Sequence, residues 1–190
     1  MRDGEVKNQT SDAVPATGRF FLIEERTPDF SYEMFGNAIA EGRTGLVMTR
    51  DFPADVQRRY DIQNTQIYWL THLVGENHFN PTALGLLLSK ITNFLDHNKR
   101  SAILLDGIEY LISQNNYERI LHFLHQVRDI IIIHMGTLIM PLDTRVLEEK
   151  EIALLERNLE VITPPETPSG KKLTFELEDG LLKLLRHTER

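Results

Sequence analysis

Six side chains carry the chemistry this sequence could perform: Glu24, Arg50, His72, Asp106, Glu109 and Asp143. The most telling is Asp106. The run Ser101-Ala102-Ile103-Leu104-Leu105 ends abruptly in Asp106-Gly107, as a strand buried on both faces of a parallel sheet ends when its chain reaches solvent. An acid in that place can hold the magnesium of a bound nucleotide when a Gly-x-x-x-x-Gly-Lys-Ser/Thr loop cradles the phosphates. No such loop exists here. The sole Gly-Lys pair, Gly170-Lys171, is followed by Lys172 and has Pro165 in place of the first glycine.

In open parallel sheets ligands settle beyond the carboxyl ends of the strands, where loops converge. The six residues fall at such ends. One guanidinium, one imidazole and several carboxylates suffice for a polar ligand or a divalent cation. The plainer alternative is structural, with Asp106 capping the following turn and pairing with Arg50 to tie two loops together.

Other arrangements carry less. His122 and His125 are three apart on a helix, a metal spacing that lacks a third ligand, and no metal site is assigned. Glu148-Glu149-Lys150-Glu151 reads as a solvated helical face, and Trp69 as a core residue. There is no cysteine and no Gly-x-Ser-x-Gly elbow, so thiol and serine nucleophiles find no support and no catalytic residue is assigned.

The elements that must position these residues alternate. Strands are expected over 19–24, 45–49, 67–71, 101–106 and 137–140. Helices are expected from Phe30 to the stop at Gly42, from Pro53 to Tyr60, and from Asn80-Pro81 through Leu95. Two more follow, one from Tyr117 through the β-branched run Ile130 to Ile133 and one over Leu147 to Leu159. The crossovers are long enough only for parallel pairing, which gives an α/β three-layer sandwich with a mainly parallel central sheet. Residues 1–18 read as a disordered leader, with a chance sequon at Asn8-Gln9-Thr10, and 19–162 as the domain. Residues 163–190 read as a Pro-rich linker, an edge strand at Leu173 to Leu177 and a short helix at Leu181 to Leu185.

At 190 residues and a formal charge of −7, with no cysteine and no apolar run of spanning length, the expected protein is soluble and cytoplasmic. The charge disfavours nucleic acid, although Arg50, Arg58 and Arg59 lie close in sequence.

Several blocks resemble an archaeal family, domain of unknown function eight-three-five. They are Gly45-Leu46-Val47-Met48-Thr49-Arg50 with Pro53 and Arg59-Tyr60, then Tyr68-Trp69-Leu70, then Pro81 with Phe94, then Leu104 to Ile112, and Leu154-Leu155-Glu156-Arg157. The resemblance implies a degenerate RecA-like or KaiC-like core, archaeal origin and a regulatory role in signalling, with no known catalytic residues. Where a RecA-type phosphate loop would follow the first strand, this chain has Glu24-Glu25-Arg26-Thr27-Pro28-Asp29-Phe30, whose acids repel phosphate. The expected function is a non-catalytic module that needs no cofactor and acts through a protein partner or self-association. The alternative is an atypical nucleotide-binding protein or weak magnesium-dependent phosphohydrolase using Asp106 and Glu109, with Arg50 on phosphate.

Overall fold

The computed structural model describes residues 14–63 and 65–164. Seven strands form one sheet in the order β4-β3-β2-β5-β6-β1-β7. They are β1 (Arg19–Glu24), β2 (Thr44–Thr49), β3 (Thr65–Leu70), β4 (His78–Phe79), β5 (Ser101–Asp106), β6 (Thr137–Leu142) and β7 (Glu160–Ile162). Every neighbouring pair is parallel. The helices are α1 (Asp29–Ala40), α2 (Pro53–Tyr60), α3 (Leu84–His97), α4 (Ile108–Gln114), α5 (Tyr117–Ile133) and α6 (Glu149–Glu156).

The three-layer α/β sandwich follows from period-two alternation in strands that are apolar on both sides. Phe20, Leu22, Leu46, Met48, Ile103 and Leu105 face α3, α4, α5 and α6. Phe21, Ile23, Val47, Ala102 and Leu104, the residues between them, face α1 and α2. Among the described residues, no helix is long and apolar enough to cross a membrane.

Several boundaries differ from expectation. Helix α3 begins at Leu84, because Asn80 and Pro81 build a turn in which Asn80 Oδ1 accepts from the Thr82 amide at 3.0 Å. Helix α6 spans only Glu149–Glu156, whereas Ile130 to Ile133 complete α5 as expected. Helix α4 and the strands β4 and β7 have no counterpart among the expected elements. Helix α4 buries only Ile108 and Leu111, too few to show a period, and β4 is two residues long. Trp69 is half-buried at the sheet margin rather than in the core, edge-on to Phe52 and His78 with ring centroids 5.4 and 5.2 Å away.

Hydrogen bonds also join residues upstream of Arg19 to the sheet. Arg43 donates to the Pro15 carbonyl, Thr137 Oγ1 donates to the Ala16 carbonyl at 2.8 Å, and Gly18 N donates to the Gly136 carbonyl at 2.6 Å. The sequon, the Gly170-Lys171 pair, the strand Leu173 to Leu177 and the helix Leu181 to Leu185 lie outside the described residues.

Candidate functional site

The carboxyl ends of the parallel strands open on one edge, and Asp106 stands near its middle, at the end of β5. Its Oδ2 accepts the Tyr32 hydroxyl of α1 at 2.9 Å and the Thr49 hydroxyl of β2 at 3.1 Å. Thr49 Oγ1 in turn accepts the Asp51 amide at 3.0 Å. Burial raises the Asp106 carboxyl to about 6, opposed by the two hydroxyls and aided by the charges of Asp51 and Glu109. Tyr32 is itself buried next to that acid, which raises its phenol pKa.

Tyr32 lies flat against Tyr60, with ring centroids 3.7 Å apart and planes 2° from parallel. Tyr60 donates its hydroxyl to Asp29 at 3.0 Å, and Arg59 donates to the same oxygen at 2.9 Å. The result is a tie running from β5 through α1 to α2, built wholly from the chain's own side chains.

Gly107, immediately after Asp106, has φ +128°, a conformation that favours glycine. A Cβ there would meet the Arg50 amide nitrogen at 3.1 Å. The close approach lets the Arg50 amide donate to the Asp106 carbonyl at 3.1 Å.

The expected pairing of Asp106 with Arg50 is therefore one of backbones. The Arg50 guanidinium turns away, 4.5 Å from the Tyr110 ring centroid, and donates to the Leu70 carbonyl at 3.2 Å. Cation–π contact and carbonyl acceptance hold it in place of a carboxylate.

Glu109, in the first turn of α4, accepts the Asp143 amide at 2.8 Å. The Asp143 carboxylate pairs with Arg145, whose hydrogen bonds push it down to about 2. His72 contacts Gln114 Oε1 at 2.9 Å. Glu24 accepts the Thr163 hydroxyl at 2.8 Å. Arg50 with Asp106 and Glu109 with Asp143 thus form two bonded pairs, linked only by the charge of Glu109 acting on Asp106, while His72 reaches the end of α4 and Glu24 belongs to the margin beside β7.

The loop after β1 holds a residue whose role sequence reasoning misses. Read from the sequence, Glu25 is only a charge that repels phosphate. Its carboxylate reaches the first turn of α1, where Oε2 accepts the Phe30 amide and Oε1 the Ser31 amide, each at 3.0 Å. Pro28, at the head of α1, has no side chain that could cap it, so these amides need a remote acceptor. The sequence hides this, because Asp29 before Phe30 reads as an ordinary cap, whereas the helix starts one residue earlier with Pro28 at the capping position. Ser31, Tyr32 and Thr49 give no signal either, because polar groups on apolar faces resemble tolerated core residues.

Elsewhere, a groove of about 550 Å³ between α5 and α6 is lined by His122, His125, Glu148 and Glu151. Among the described residues no three acids and histidines are gathered to hold a metal ion. The run Glu148 to Glu151 caps its own helix, with the Glu148 amide donating to Glu151 Oε2 at 3.0 Å.

No curated protein matches the chain. A family model does, over residues 24–159, a span that holds the sheet from the end of β1 to the start of β7 and every residue of the tie around Asp106. The chain belongs to the family described as Protein of unknown function (DUF835).

Proposed function

We propose that this protein is a non-catalytic RecA-like or KaiC-like module that acts through protein–protein contact, as a regulatory or assembly component of archaeal signalling in the cytoplasm. The observation that carries the reading is the engagement of Asp106. One of its two carboxylate oxygens already receives the Tyr32 and Thr49 hydroxyls, and burial raises the cost of its charged form, the form that binds a metal. Glu109, the other acid of the hydrolase alternative, is held by the Asp143 amide.

The interaction half of the reading is supported by the far margin of the sheet. Among the described residues strand β4 pairs only with Trp69 and Leu70, and the amides of Trp69 and Thr71 point outward to it. By the two-residue period of a strand, Thr65 and Ile67 point the same way, beyond the reach of β4. An open edge of this kind accepts an added strand, and Leu173-Thr174-Phe175-Glu176-Leu177 alternates as such a strand would.

Deleting residues 163–190 lowers the self-association measured by sedimentation velocity. Unchanged sedimentation after the deletion contradicts the docking role. Calorimetry with ATP, GTP and cyclic dinucleotides, with and without magnesium, yields no saturable heat. Tight binding that is abolished in Asp106→Ala moves the protein to the hydrolase reading.

A further inference from the structure

The first turn of α1 is a cradle with its ligand already in it. Two backbone amides, of Phe30 and Ser31, point at one carboxylate from the same chain. They lie at the positive end of a helix of 12 residues, where the backbone dipoles favour negative charge. A third group faces the same place. Burial raises the Glu25 pKa, and the fully buried Ser31 hydroxyl lies near enough to that carboxylate to oppose the rise, yet makes no hydrogen bond of proper geometry. A buried hydroxyl left unpaired is costly, and an oxyanion of slightly different position or shape would satisfy it.

We infer that this turn is an anion cradle built for a carboxylate and that Glu25 is its resident ligand, closing it to external anions for as long as the side chain is in place. This rests on the non-nucleotide reading above only in that Glu25 keeps phosphate out. The preference for a carboxylate follows from the surroundings. Two near-parallel N–H donors match the two oxygens of a carboxylate, and the charge of Asp29 bears on the cradle and opposes a dianion. Arg59 offsets part of that charge by pairing with Asp29. Tyr32, one residue beyond the cradle, sets the Asp106 hydrogen bond, so the occupant of the cradle also braces the tie.

The test is chemical rescue. Glu25→Ala removes the resident carboxylate and lowers Tm by about 2–4 °C, the effect of one lost helix cap in a chain of this size. Sodium formate returns at least half of that loss in Glu25→Ala, sodium chloride at equal ionic strength does not, and the wild type responds alike to both. In Glu25→Gln the amide side chain fills the cradle, and formate gives no rescue. In parallel, the Phe30 and Ser31 amide resonances of Glu25→Ala shift saturably with formate.

Equal responses to formate and chloride in Glu25→Ala overturn the inference. Greater rescue by inorganic phosphate than by formate overturns the assignment to a carboxylate. Where Glu25→Ala does not fold in chloride, the yield of folded protein on refolding into formate against chloride decides the same question. ATP binding by the wild type would defeat the non-nucleotide reading, a result separate from each of these.

Discussion

The two ends of the sheet's carboxyl edge are built on opposite plans. From β1 to β5 the acids are engaged by the chain itself: Glu25 on the α1 amides, Asp29 on Arg59 and Tyr60, Asp106 on Tyr32 and Thr49. At the β3 and β4 end large apolar groups are exposed among polar ones such as His72, Glu76 and Asn77. Phe52 is 54% exposed, Leu73 63%, and Val74 fully so, and Phe52, Ile67 and Trp69 line a cavity of about 330 Å³ together with Gln66, Glu76 and His78. The contrast separates two tasks. Groups that could do chemistry are committed to holding helices to strands, and the surface left unsatisfied suits contact with another chain.

The sharpest way to break the comparison is Asp106→Asn. The folded carboxyl titrates near 6 against an ordinary value of 3.8, so between those limits the folded chain holds a proton that the unfolded chain has released. Stability therefore falls as pH rises from about 4 to about 6 and is level above that. Asparagine keeps an oxygen for Tyr32 and Thr49 without the buried charge. Thermal melts should lose the slope and gain up to about 3 kcal/mol above pH 6. A variant that melts below the wild type at pH 7.5 would mean that the charge itself is needed.

Gly107→Ala has the next largest effect. At φ +128°, with the Arg50 amide nitrogen 3.1 Å from the new Cβ, denaturant unfolding should show a loss of about 1–3 kcal/mol. An unchanged midpoint would show that the junction between β2 and β5 is loose. The smallest effect belongs to the open end. Leu73→Ser with Val74→Ser should shift stability by less than about 0.5 kcal/mol, because nothing buried is lost. The same pair should lower self-association in sedimentation velocity.

The strand framework is legible because parallel strands covered on both faces must be apolar without interruption, as in Ala102 to Leu105, and because Asp106-Gly107 cannot continue such a run. Helix α4 is not, since seven residues with two buried positions give no period. The site is legible in place but not in partnership. Strand ends bring Arg50, Asp106 and Glu109 to one edge, whereas the Asp106 partners come from residues 57 and 74 positions away in sequence. Local spacing carries no trace of such pairs. Trp69 shows the same limit, because its place depends on β4 covering so little of β3.

The position of β1 has a consequence for how the protein is made. Its neighbours are β6 and β7, so this strand finds both partners only after residues 137–142 and 160–162 have left the ribosome. At about 5–20 residues per second, Phe20 to Ile23 wait several seconds as a naked apolar stretch. Closing so long a loop is also a slow step in refolding.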